Sequence, residues 1–158
     1  MRDRRTAVIF DADGTLWDVS SIRHFVTPPI TPDPNWRRDF HAFHQASIAC
    51  PANSSAIKEW HRAGLEGHLR ILVTAREARW FNETLWWMFL NPAIGAPDDM
   101  FMRRWNDFRP DDVIKQELFM QFIAPRYNVV RAVDDNPSVI QVWEDLGVPE
   151  VITIPGWN

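Results

Sequence analysis

The sequence predicts an α/β domain built on a mainly parallel five-stranded sheet. Three observations carry that expectation: short apolar runs alternate with helix-length amphipathic segments, acidic or hydroxyl residues stand just after three of those runs, and the apolar fraction can fill one core. The chain has 158 residues, 46% apolar and 24% charged, a length and composition that favour one globular domain.

The first strand is predicted at Thr6 to Asp11 (TAVIFD), a nearly continuous apolar run of the kind buried on both faces of a sheet. Leu69 to Thr74, Met100 to Arg103, Val129 to Val133 and Glu150 to Ile154 read the same way. Between them lie four predicted helices. Ser54 to Ala63 follows an Asn-Ser cap signal, and Glu77 to Leu90 carries Phe81, Leu85, Met88 and Phe89 as its expected inner side. Asp111 to Ile123 spaces Ile114, Leu118 and Phe122 on one face, with acidic residues in its first turn. Pro137 to Leu146 ends at Gly147, a natural C-terminal stop. Leu16 to Pro51 breaks the rhythm with five of the twelve prolines, followed by a helix expected over Trp36 to Ile48. This stretch reads as an insertion after the first strand, a flap and then a helix, too small to be an independent domain.

Composition excludes several classes. A formal charge of −4 is not the basic footprint of a protein that coats nucleic acid, so any such contact must be local. The one cysteine, Cys50, removes an intrachain disulfide framework and a Cys-rich zinc site. Ala7 to Phe10 meets Asp11 too soon to be a secretory segment, and the uncharged run Thr84 to Pro97 is too short and broken to span a bilayer. The expectation is a soluble, cytoplasmic protein with no membrane contact. All seventeen basic residues are arginine except Lys58 and Lys115, which makes each lysine conspicuous.

Chemistry is expected beyond the carboxyl ends of the strands, where open parallel sheets bind ligands. The first strand runs into Asp11-Ala12-Asp13-Gly14-Thr15, two carboxylates followed by a glycine suited to a tight turn. A calcium loop would need a glutamate about twelve positions along. Ile22, Arg23 and His24 stand there instead. The second strand ends at Thr74-Ala75-Arg76, a hydroxyl and a guanidinium that could hold phosphate oxygens, although a threonine there also serves as a plain helix cap. The fourth ends at Asp134-Asp135-Asn136-Pro137; two adjacent carboxylates repel unless a cation sits between them, and capping the next helix explains only one. Lys115 lies in the first turns of the helix that opens at Asp111-Asp112.

Together these four places resemble the motifs of the haloacid dehalogenase-like (HAD) phosphohydrolase superfamily: D-x-D-G-T at Asp11 to Thr15, Thr74, Lys115, and the acidic pair Asp134 and Asp135. The stretch MRRWNDFRPDDVIKQELF, Met102 to Phe119, is more specifically similar to the phosphatase domain of polynucleotide kinase-phosphatases, through Arg109, Asp111, Lys115, Glu117 and Phe119. Ile123 to Val148 follows that family's run into its acidic pair, Arg76 matches a functional arginine, and Arg23 stands near a flap arginine in a different local sequence. The resemblance covers residues 6 to about 154.

The resemblance implies a Rossmann-like domain over residues 1–158, with strand order 5-4-1-2-3, helices on both faces, residues 16–51 as flap and small helical insertion, and no large cap domain. It implies a phosphomonoesterase that uses Mg²⁺. Asp11 would be the nucleophile, Asp13 the acid and then base, and Lys115 and Thr74 would steady the transferring group. Asp11, Asp13, Asp135 and, in the outer sphere, Asp134 would serve the metal. Arg76, Arg109, Asp111, Thr15 and Arg23 would serve the substrate, Asp111 by orienting Lys115 or an arginine. The expected substrate is a 3′-phosphorylated polynucleotide end or a nucleotide. With no G-x-x-x-x-G-K-S/T loop in the sequence, the resemblance implies a phosphatase without its kinase half. A nucleotidase or small-metabolite phosphatase, and a module that binds phosphorylated ends without turnover, are the competing readings; a homo-oligomer stays open.

Four features are expected to be ordinary. His41, His44 and His61 show no convergence with Cys50 on a metal and read as solvent-facing or internally satisfied. One of Trp86 and Trp87 should face away from the core, to be packed under the flap or a neighbouring loop in preference to a dimer contact. Trp17 could stack a base or wedge the flap. Arg37-Arg38 and Arg103-Arg104 read as exposed charges that could follow a phosphate backbone.

Overall fold

In a computed structural model that describes residues 3–156, the central sheet has five parallel strands in the order β3-β2-β1-β4-β5, as expected. The strands are β1 (Arg5–Phe10), β2 (Leu69–Glu77), β3 (Asp99–Arg103), β4 (Tyr127–Asp134) and β5 (Glu150–Thr153). The helices are α1 (Phe40–Ser47), α2 (Ser54–Leu65), α3 (Phe81–Leu90), α4 (Asp111–Leu118) and α5 (Pro137–Asp145). Met1, Arg2, Trp157 and Asn158, the two ends of the expected domain, lie outside the described residues.

Strand alternation sorts the core into two layers. Val8, Phe10, Leu72 and Val133 face one side, where Ala56, Trp60 and Ala63 of α2 and Trp87 and Met88 of α3 cover them. Ala7, Ile9, Ile71, Val73 and Ala132 face the other, under Val139 and Trp143 of α5. The order of strand addition reverses at β1, which pairs in parallel with β2 on one edge and β4 on the other. That reversal opens a crevice at the strand ends, beside Asp11 and Asp134.

The insertion does not stand apart. Leu16, Trp17, Val19, Ile22, Val26, Phe43 and Cys50 join the same buried cluster as Val8 and Phe10. Trp17 settles its two readings: it is fully buried, and its ring stacks on Trp87 at 3.6 Å, so it wedges the insertion and is closed to a base. Trp87 donates to the Cys50 carbonyl at 2.9 Å, while Trp86 faces solvent.

Three expectations need correction. The insertion helix begins at Phe40, not Trp36, because the Asp39 side chain accepts from the Ala42 N–H and sets the start there. In α3 the buried side is Thr84, Trp87 and Met88 rather than Phe81, Leu85 and Phe89, because Trp87 turns inward to stack on Trp17 and to bond the Cys50 carbonyl. The helix expected to reach Ile123 stays α-helical only to Leu118. It then widens into a π turn over Phe119–Ile123, which buries Ile123 in place of Phe122.

The Trp17–Trp87 stack ties the first-motif loop to α3. Trp87→Ala should lower the unfolding free energy by about 3–5 kcal/mol, read from denaturant melts. A loss below about 1 kcal/mol would mean that the stack is incidental.

Candidate active site

Buried carboxylates dominate the crevice. Among the described residues, Asp11, Asp134 and Asp135 form a buried trio whose oxygens can lie within 4.8 Å of one another. β1 delivers Asp11, and β4 delivers Asp134 and Asp135 on the neighbouring strand. Gly14 takes a left-handed backbone, φ 84°, and turns the chain tightly past them. A Cβ on Gly14 would stand 2.4 Å from Asp135 Oδ2, and one on Gly156 would stand 2.7 Å from it. Glycine at both places keeps the Asp135 carboxylate clear.

One lysine answers this negative charge. Lys115 is 2% exposed, and its Nζ lies 2.6 Å from Asp11 Oδ1 and 2.9 Å from Asp134 Oδ2. Burial disfavours an ammonium, yet the two carboxylates outweigh it and raise the lysine pKa. For Asp11, burial raises the pKa well above the carboxylate range; Lys115 offsets part of that, and Asp134 and Asp135 push the same way as burial. Three carboxylates against one ammonium leave room for a divalent cation, and an all-oxygen donor set suits a hard one.

The acidic pair is unequal. Asp134 Oδ1 accepts the backbone N–H groups of Asp135 and Asn136, while its Oδ2 accepts from Lys115 and, at 3.3 Å, from the Trp143 indole. Asp135 lines the cavity directly, and its Oδ1 accepts from Thr15 Oγ1 at 3.1 Å. Thr15 also reaches Asp11 Oδ2 at 3.2 Å and is fully buried, so it bridges two carboxylates from behind.

Asp13 stands across the cavity under a different partner. Arg76 Nε and Nη2 grip its two oxygens at 2.9 and 2.6 Å. Burial would raise the Asp13 pKa, but the charge and hydrogen bonds of Arg76 more than offset it and hold the carboxyl below its usual value. Arg76 also donates to Ser47 Oγ at 2.8 Å and Thr84 Oγ1 at 3.3 Å, with its Cζ 4.9 Å from the Trp17 ring centre. All three guanidinium nitrogens therefore have a protein partner, and Arg76 lines the cavity beside the Asp13 carboxylate that it holds. Thr74 Oγ1 accepts the Arg76 N–H at 3.1 Å and lines the cavity beside it.

These side chains open into a cavity of about 500 Å³. Asp11, Asp13, Thr74, Arg76, Lys115, Asp135, Asp111 and Arg109 all line it. Asp111 pairs with Arg103 at 2.6 Å, the arginine of its two expected alternatives. Arg109 sits on Asp107 and Glu117, at 2.7 and 2.5 Å. Arg23 does not line this cavity; it donates to the carbonyl of Gly156, the glycine packed against Asp135.

Two expectations fail here. Arg103 is not an exposed charge: it is 9% exposed and donates to the carbonyls of Ala75, Asp107 and Arg109, clamping the loop before α4. Arg104 alone of that pair is exposed. His44 is neither solvent-facing nor satisfied; it is 7% exposed, lines the cavity, and its buried Nδ1 has no hydrogen-bond partner among the described residues. Ser47, Thr84 and Trp17, which set Arg76 in place, carried no signal of that role, because the contact joins three separate stretches of chain.

Comparison with known proteins agrees with this geometry. Residues 5–154 match the family model for the polynucleotide kinase PNKP phosphatase domain. A 55-residue stretch is 38% identical to a protein of Autographa californica nuclear polyhedrosis virus described as a bifunctional polynucleotide kinase/RNA ligase, covering 35% of this chain and 8% of that one. Among solved structures, a chain in a Pnkp1/Rnl/Hen1 complex superposes with a TM-score of 0.75 at 25% identity, over 98% of this chain and 47% of that one. The class C acid phosphatase of Bacillus anthracis with tungstate bound shares the fold at a TM-score of 0.66 and 14% identity, over 96% and 67%. The chain thus spans under half the length of the chain that it matches in that complex. No helix among the described residues is long and apolar enough to cross a membrane.

Burial lowers the His44 pKa to about 4, from 6.5. The unfolded chain therefore binds a proton at higher pH than the folded one. The stability that His44 contributes is complete above pH 6.5 and is lost as pH falls towards 4, a loss on the order of 3 kcal/mol. Asp11, with a raised pKa, acts in the opposite direction over part of this window, so the parent-minus-variant difference isolates the histidine. His44→Phe should lose less stability than the parent between pH 6.5 and 4.5, read from urea melts at each pH; identical slopes would show that the imidazole takes up its proton without resistance.

Proposed function

The chain belongs to the family of polynucleotide kinase PNKP phosphatase domains, within the HAD phosphohydrolase fold, and on that basis we propose that it is a Mg²⁺-dependent phosphomonoesterase that acts through Asp11 on 3′-phosphorylated polynucleotide ends. The observation that carries this reading is the buried Asp11–Lys115–Asp134 arrangement, with Asp135 and Asp13 facing one cavity. The reading takes residues 1–158 as one catalytic domain with 16–51 as its insertion.

Asp11 Oδ attacks phosphorus in line, the phosphorus–alkoxide bond breaks, and an aspartyl-phosphate forms. Asp13 gives a proton to the departing alkoxide; it then takes one from the water that splits the acyl-phosphate and regenerates Asp11. Arg76 holds Asp13 as a carboxylate in the free protein, the form required for the second half. A phosphate dianion entering the cavity raises the Asp13 pKa and favours the protonated form required for the first. Lys115 balances charge on Asp11 and on the transferring oxygens, while Asp134 holds Lys115 in place. Thr74 Oγ1 donates to a phosphoryl oxygen. Asp11, Asp135 and the Asp13 carbonyl would hold Mg²⁺, which supplies further compensation for the phosphoryl charge.

Support for the polynucleotide substrate comes from the family and from the open crevice, which no separate cap domain covers among the described residues. The main rival within the same chemistry is a phosphatase for free nucleotides or small phosphorylated metabolites.

Asp11→Asn should abolish turnover of p-nitrophenyl phosphate, because an amide is no nucleophile; full activity would sink the covalent mechanism. Asp13→Asn should cost on the order of 10²–10⁴ in kcat. EDTA should stop hydrolysis and Mg²⁺ should restore it; binding of phosphorylated ends without any turnover would show a binding module. In a panel of 3′- and 5′-phosphorylated oligonucleotides, nucleotides and sugar phosphates, the 3′-ends should be fastest, with rates falling as salt rises. Equal rates across the panel would leave a general phosphatase.

A further inference from the structure

Two aromatic side chains stand at the mouth of the phosphate cavity, on opposite parts of the chain. Phe108 is 84% exposed and belongs to the loop between β3 and α4; Phe40 is 50% exposed and opens α1 of the insertion. Both line the cavity that ends on Asp11 and Lys115. Exposing a phenyl ring leaves about 1.5–3 kcal/mol of burial unused. Two such rings over a strongly polar floor are therefore informative.

Neither ring sits on slack chain. Arg103 bonds the carbonyls of Asp107 and Arg109 on either side of Phe108, and Arg109 is itself paired with Asp107 and Glu117. Phe40 is backed by the His44 ring, stacked at 6.1 Å, and by Phe43, edge-on at 6.5 Å. The rims are pre-set by the fold, which lowers the ordering cost of binding. Their charge also points one way. Arg38 lies over Phe40 at 5.9 Å, lines the cavity, and makes no ion pair among the described residues. Arg109 is already neutralised by its two carboxylates, so Arg38 is the mouth's available cation.

We propose that Phe40 and Phe108 form a clamp that stacks the nucleobase of the nucleotide carrying the scissile phosphate, with Arg38 meeting the next phosphodiester. This rests on the reading of the site as a phosphatase for nucleic-acid ends and names how the end is held. A cavity near 500 Å³ is of the size that admits a nucleotide-sized ligand. Stacking fits any base, so the clamp gives affinity for nucleotides without sequence preference. Trp17, the aromatic nearest the first motif in sequence, is buried and unavailable for this role.

The test compares kcat/KM for 3′-phosphorylated oligonucleotides that differ only in whether the terminal nucleotide carries a base or is abasic. The parent should prefer the base by roughly 5- to 150-fold. Phe40→Ala and Phe108→Ala should each shrink that ratio towards one, and Phe108→Trp should restore it. Both positions are exposed, so their truncation leaves the fold intact, and circular dichroism checks it. As a second readout, 2-aminopurine at the terminal position should be quenched on binding to Asp11→Asn protein, and less so when either phenyl ring is removed. A base-to-abasic ratio near one in the parent, or a ratio that neither alanine variant changes, overturns the clamp; the rings would then serve a protein contact instead. The two levels separate cleanly. A persistent base ratio with no preference for 3′- over 5′-ends would refute the 3′-end reading and keep the clamp. A 3′-end preference with a flat base ratio would do the reverse.

Discussion

Everything in this molecule is arranged around a charge that the fold should not tolerate. Asp11, Asp134 and Asp135 are buried, with oxygens able to lie within 4.8 Å of one another, and the protein sets one ammonium among them. Burying a carboxylate costs several kcal/mol even after relaxation, and mutual repulsion adds to it. The arrangement persists because the sheet delivers β1 and β4 side by side and because backbone N–H groups and Trp143 donate to Asp134 while Thr15 lies between Asp11 and Asp135. It also stays under-compensated. Residual negative charge favours a bound cation, and in the proposed reaction that cation would let the site admit a phosphate dianion. The same electrostatic deficit that strains the fold is thus what the proposed chemistry uses.

The two halves of the site are separately wired. Lys115 serves Asp11 and Asp134, whereas Arg76 serves Asp13, with Ser47, Thr84 and Trp17 around it. This division lets two carboxylates two residues apart hold opposite tendencies: Asp11 shifted up by burial, Asp13 shifted down by a guanidinium. Carboxyl pairs whose surroundings push their pKa values apart are what acid–base assignments are made from. Ser47 lies in the insertion, so residues 16–51 contribute to the tuning of Asp13 as well as to the wall of the cavity.

The sequence was most legible where chemistry coincides with topology. Asp11, Thr74 and Asp134 could be placed because each follows an apolar run, and apolar runs are strands in this pattern. Lys115 stood out because lysine is scarce in this chain. The strand order followed from the same resemblance. Legibility failed where a side chain's role depends on partners distant in the chain. Nothing in the sequence near Arg76 announces that it also holds Asp13 and is itself held by Ser47 and Thr84. Arg103 reads as a surface charge until three carbonyls converge on it. The inner side of α3 was missed because Trp87 turns it inward onto Trp17 and Cys50 of the insertion, partners distant in the chain that no periodicity rule registers.

Arginine usage resolves the apparent conflict between an acidic chain and an anionic substrate. Net charge acts at a distance and is screened within about 8–10 Å at physiological salt. What a bound phosphate meets is the local set of unpaired cations. Most arginines near the cavity are already spent: Arg76 on Asp13, Arg103 on Asp111, Arg109 on Asp107 and Glu117. Tied arginines position acids and loops but offer little charge to a ligand. Arg38 at the cavity mouth, and Arg104 on the loop beyond it, make no ion pair among the described residues. In the proposed reading, a chain with net charge −4 binds a polyanion end through a catalytic floor that holds a cation and a rim that supplies stacking in place of a broad basic surface. Such a site would grip one or two nucleotides at an end and leave the rest of the polymer free, as end-directed chemistry requires.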